Sequence, residues 1–138
     1  MPDICAALES PKGRATGQQY IAWFNQHVAS LYGGKLDGAG CYYFRCSMLH
    51  QGTTIHPNSR YKRIIFLEPT NGIVFHNNVI MDALNIDVKI FCEEICSAVE
   101  RWWASVEGTA NVQRNLPRFV TRHPQGIAPY IVGTPVIG

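Results

Sequence analysis

Between Val88 and Val106 the apolar residues Val88, Phe91, Cys92, Ile95, Val99, Trp102, Trp103 and Val106 recur at offsets of three and four. Lys89, Glu93, Glu94, Glu100 and Arg101 occupy the other face. That period is helical, since strand side chains alternate every second residue. Asp87 stands where a side-chain oxygen accepts from the free N–H groups of a helix start. Ile86 and Phe91 stand as a hydrophobic staple, and Gly108 closes the segment. A long one-sided helix must bury its stripe, so the rest of the chain is read for what covers it.

Residues 3–9 suit two helical turns with Ile4, Ala7 and Leu8 on one side, ended by Ser10-Pro11-Lys12-Gly13. From about Thr16 to Leu31, Tyr20, Trp23, Phe24, Val28 and Leu31 mark a second helical stripe, closed by Gly33-Gly34. Residues 39–51 (AGCYYFRCSMLHQ) form a shorter helix, and Gly52 sits where a left-handed terminal residue belongs. Thr53–Arg60 reads as loop.

The period then changes. Tyr61–Leu67 and Ile73–His76 are rich in β-branched and aromatic residues, and Pro69-Thr70-Asn71-Gly72 supplies turn chemistry between them, so an antiparallel hairpin is expected. Ala110–Arg114 suits a short helix limited by Pro117. The last residues, GIAPYIVGTPVIG, suit an extended tail lying on the core, because Tyr130, Ile131, Val132 and Val136 need cover.

With 46% hydrophobic against 16% charged residues in 138, the chain has material for one core, which excludes a disordered or disulfide-dependent class. The expectation is a single domain over residues 1–138, mostly α (α+β). It is a helical bundle with a small antiparallel hairpin inserted at about 61–76 and an extended C-terminal tail. No apolar run reaches the roughly 18 residues of a membrane span, and MPDICAALES has no basic n-region of a secretory signal. Five cysteines, Cys5, Cys41, Cys46, Cys92 and Cys96, then read as reduced thiols in a cytoplasmic protein.

Net charge of +2 does not announce nucleic acid, but no acid follows Glu107, and Arg114, Arg118 and Arg122 recur every four residues there. They would make a basic edge for an RNA backbone if the helix continued past Pro117. Chemistry is best sought in Arg45-Cys-Ser-Met-Leu-His50-Gln-Gly. An imidazole exchanges protons near neutral pH, and a guanidinium holds phosphate oxygens with a planar fork. Together they suit phosphodiester chemistry without a metal. On a helix their directions differ by about 140°, so they converge only through side-chain length. The plain alternative is a histidine favoured by the helix C-terminus and a solvated or paired arginine.

The segment CYYFRCSMLHQG resembles the signature of HEPN domains (higher eukaryotes and prokaryotes nucleotide-binding): an Arg, four to six residues, then a His late in a helix, often followed closely by Gly. The resemblance implies a helical bundle, a homodimer with Arg/His pairs facing across the interface, and metal-independent endoribonuclease activity in many members. Carried over, Arg45 neutralises the scissile phosphate and His50 acts as general base or acid at the ribose 2′-hydroxyl. Ser47 and Gln51 are polar helpers. An antitoxin-like protein is the implied partner besides RNA. The other class is a non-catalytic helical domain that mediates interaction or binds a nucleotide or RNA.

Two rivals are weaker. Cys41, Cys46, His50 and His56 offer zinc ligands, but no CxxC or HExxH spacing exists. Cys92 and Cys96, one turn apart, read as small buried hydrophobes. Cys46 lies beside Arg45 and four residues from His50, yet nothing else resembles a cysteine hydrolase. No cofactor, metal site or phosphate loop is expected.

Overall fold

The computed structural model describes residues 1–69, 72 and 74–138. The helices are α1 (Pro2–Glu9), α2 (Gly17–His27), α3 (Gly38–Gln51), α4 (Val88–Val106) and α5 (Ala110–Asn115). A mixed α+β architecture results, with 48% of the described residues helical and 16% in strands.

The caps follow from sequence. Thr16 accepts from the Gln19 N–H while the Gln19 side chain accepts from the Thr16 N–H, a capping box that starts α2. Asp87 accepts from the N–H groups of Lys89 and Ile90 at 2.9 and 3.0 Å, as its position ahead of α4 predicts. Gly52 ends α3 at φ 64°, in the left-handed region.

The buried centre combines Cys5 and Leu8 of α1, Tyr20, Trp23 and Phe24 of α2, and Ile95, Ala98 and Trp102 of α4. Trp102 packs edge-on against Trp23 at 6.2 Å and its indole N–H donates to Glu9 at 2.8 Å. Two expected core positions turn outward. Ala7 and Leu8 are buried as expected, but Ile4 is exposed and α1 buries Cys5 with them. Leu31 is exposed because α2 stops at His27 and the 3-10 turn Ala29–Tyr32 rotates Tyr32 inward in its place.

The sheet corrects the expected hairpin. Strand β1 (Arg63–Leu67) pairs in parallel with β3 (Ala83–Asp87), and β2 (Asn78–Ile80) pairs with β3 antiparallel, giving the order β1-β3-β2. Val74–His76 form no strand, and Thr70, Asn71 and Ile73 of the expected turn region lie outside the described residues. The hairpin that does form turns at Met81 and Asp82, both at positive φ (49° and 66°), as a twist-compatible two-residue turn requires. β3 is buried along its whole length and so has no alternation to reveal it. It runs directly into α4 through Asp87. Phe66 of β1 touches Phe44 of α3 at 5.0 Å and Phe91 of α4 at 5.3 Å, tying sheet to helices.

The tail is extended, but it does not lie on the core. It folds back on itself as β4 (Arg122–His123) with β7 (Val136–Ile137) and β5 (Gly126–Ile127) with β6 (Ile131–Val132). Tyr130, Ile131 and Val132 are exposed and Val136 is half-buried. The Gly/Pro punctuation closes short ladders locally, and the apolar side chains are left outward. What docks on the core is α5: Val112 is fully buried, and the Asn115 amide donates to the Leu8 and Ser10 carbonyls at 2.9 and 2.8 Å.

Candidate functional site

Helix α3 is placed by small residues. Asp37 caps it through the Gly40 N–H, and the Gly38 N–H donates to Asn25 at 2.7 Å. A Cβ on Gly38 would stand 2.2 Å from the Ile21 carbonyl oxygen, so glycine permits α3 to start against the backbone of α2. Cys41 faces inward, 3.2 Å from the Tyr20 hydroxyl.

From that start the motif residues fall on different sides. Arg45 leans toward α1, where its Nε donates to Asp3 at 3.2 Å; the two side chains remain 32% and 40% exposed. Desolvation opposes the guanidinium charge, but Asp3 and the Cys46 thiol outweigh it and hold Arg45 above its ordinary value. His50 is exposed in the last turn of α3, with Gln51 exposed beside it. Ser47 turns inward at 1% exposure, and its hydroxyl has no hydrogen-bond partner among the described residues. Exposed Met48 and Leu49 (45% and 66%) lie between the arginine and the histidine in sequence.

Arg45 also borders a cavity of about 420 Å³ between α1, α3 and α4, whose walls include Phe44, Met48, Leu49, Cys92, Ile95 and Cys96. His50 is not among its lining residues. Cys92 and Cys96 are exposed, contrary to the expectation that they are buried. The inward face of α4 is taken by Ile95, Ala98 and Trp102, which leaves the two thiols at the cavity edge. All five cysteines are free. No cluster of three or more His, Cys, Asp and Glu side chains suited to a metal occurs among the described residues.

The three C-terminal arginines share no helical edge, because α5 ends at Asn115 and a 3-10 turn, Leu116–Arg118, carries Pro117. Arg114 donates to the Pro11 carbonyl at 2.8 Å and Arg118 to that of Lys12 at 3.4 Å, so both secure the turn after α1. Arg122 is exposed on β4.

Sequence reasoning missed Asp3 as the partner of Arg45, since 42 residues separate them. It also missed a cluster at the sheet edge: the buried Tyr32 hydroxyl donates to Glu94 at 2.5 Å, and His76 Nε2 approaches the same carboxylate at 3.6 Å. Burial first, then the Glu94 contact, pushes the Tyr32 hydroxyl far up. No spacing signal links these residues. Among the described residues no helix is long and apolar enough to cross a membrane.

None of the family models, curated proteins or solved structures compared with this chain matches it.

Proposed function

We propose that this chain is a HEPN-like endoribonuclease that works as a cytoplasmic homodimer without a metal. The carrying observation is the placement of Arg45 and His50 on the last turns of α3, both reaching solvent, with exposed Met48 and Leu49 between them in sequence. A second copy docked on this end of α3 covers Met48 and Leu49 and brings two Arg/His pairs to one groove. His50 then removes the ribose 2′-hydroxyl proton, the 2′-oxygen attacks phosphorus, and the bond to the 5′-oxygen breaks, that oxygen taking a proton from water to leave a 5′-hydroxyl and a 2′,3′-cyclic phosphate. The Nε contact with Asp3 fixes the arginine stem, and the terminal nitrogens are the fork suited to the phosphate oxygens. Gln51 is placed to assist at the exposed end, and an antitoxin-like protein is the partner such an activity calls for.

The test is incubation of the purified chain with single-stranded and structured RNAs in EDTA, beside Arg45→Ala and His50→Ala. The expected result is cleavage by wild type and a loss of about 10²-fold or more in each variant with the fold intact, the scale of general acid–base catalysis. Cleavage of no RNA class by wild type overturns the proposal.

A second reading has its own observation: Arg45 is already paired with Asp3, and an apolar cavity of about 420 Å³ lies beside it. This fits a domain that only binds, within the size range of small-molecule sites. On that reading His50→Ala changes dimerisation or thermal stability and nothing chemical.

A further inference from the structure

The cavity between α1, α3 and α4 has an unusual wall. Cys92 and Cys96 are one turn apart on α4, both free and exposed, and both line it. The thioether-bearing Met48 lines it from α3, Phe44, Phe91 and Ile95 supply apolar wall, and Arg45 borders it. Side chains four apart on a helix have Cβ atoms roughly 5–6 Å apart. Metal–sulfur bonds of about 2.3 Å span such a pair with one ion between the two sulfurs. Thiolate and thioether donors select soft cations, Cu(I) above all, over the hard ions that need oxygen.

We propose that Cys92 and Cys96 form a two-thiolate site for a single Cu(I) ion at the edge of this cavity, with the Met48 thioether as the facing donor. Binding replaces two thiol protons with the ion and releases both to solvent, with no change of oxidation state. Zinc is a poor fit, because a structural site wants four ligands and no group of three potential ligands gathers among the described residues. Cys41 also borders the cavity but is held as the thiol: burial above all pushes it up to about 11, and its sulfur lies against the Tyr20 hydroxyl. This inference uses Cys92 and Cys96 of α4 with Met48 of α3, and does not depend on Arg45 and His50 performing chemistry.

The test is anaerobic titration of the full chain with Cu(I) held by a chromophoric chelator, read as chelator absorbance lost per protein. The expected result is one equivalent withdrawn by wild type and by Cys46→Ser. Cys92→Ser and Cys96→Ser should each lose at least about ten-fold in affinity, a scale on which even outer-shell changes around a metal are felt. Met48→Leu should weaken binding less. Circular dichroism of each variant verifies the fold. No withdrawal by wild type, or equal withdrawal by wild type and both α4 variants, overturns the site. RNA cleavage measured on the same Cys92→Ser protein is expected unchanged, so failure here is separate from failure of the nuclease reading.

Discussion

Helices α3 and α4 border the same cavity, yet they are held by opposite means. α4 is anchored by bulk: Ile95, Ala98 and Trp102 fill one side, and its cap Asp87 is itself buried. α3 is anchored by smallness, with Gly38, Cys41 and Ser47 as its buried residues and an exposed Asp37 as its cap. Close backbone approach at Gly38 seats the start of α3 on α2, and its large aromatics Tyr42 and Phe44 pack against the core only half-buried. The long residues Arg45, Met48, Leu49 and His50 are thereby left partly or fully outward. A helix whose fully buried residues are small leaves its large ones half-buried or exposed, whereas α4 has committed Trp102 to the interior.

The strongest attempt to break that contrast is Trp102→Ala. It empties a site 2% exposed, removes the edge contact with Trp23 and takes the indole donor from Glu9. Large aromatic truncations in cores cost about 3–5 kcal/mol. Denaturant unfolding should show a loss in that range, a large part of what a domain this size has to lose. A loss under about 0.5 kcal/mol, the scale of ordinary surface changes, would mean that α4 is not anchored by bulk.

Gly38→Ala probes the other anchor. Alanine is the better helix former by about 1 kcal/mol, so propensity alone predicts stabilisation. The added Cβ, however, would meet the Ile21 carbonyl at 2.2 Å, and backbone cannot move aside as a side-chain tip can. Overpacking of this kind costs about 1–3 kcal/mol. A net loss in thermal or denaturant unfolding is expected; a gain would show that α3 does not depend on close approach to α2.

The same contrast explains what could be read in advance. α4 and its cap were legible because bulk leaves a period in sequence. The span of α3 was legible from length and Gly52, but its burial was not, since glycine, cysteine and serine carry little hydrophobic pattern. The central strand β3 left no alternation because both its faces are covered. Its true turn, Met81-Asp82, lacks the glycine that made Asn71-Gly72 attractive. The motif pair was visible as Arg45 and His50. Asp3, Cys92 and Cys96 were not visible as neighbours of that region, because only the packing of α1 and α4 beside α3 brings them there. The tail misled for a physical reason: local ladders satisfied its backbone without covering its side chains.

The smallest expected effect is the sharpest on the function of α3. Asp3→Asn keeps the shape of the partner of Arg45 and removes its charge. Both members of the pair are about a third exposed or more, and such surface pairs contribute about 0–1 kcal/mol. Thermal unfolding should therefore barely move, less again in high salt, where the pair is screened. If Arg45 serves a phosphate, removing the carboxylate charge should strengthen RNA binding, since the guanidinium charge is no longer shared. A stability loss beyond about 2 kcal/mol would make the pair a structural anchor, and α3 would then be held by its long side chains after all. A stable Asp3→Asn protein with unchanged RNA behaviour would instead separate the arginine from the nucleic acid, leaving the binding-only reading of this helix.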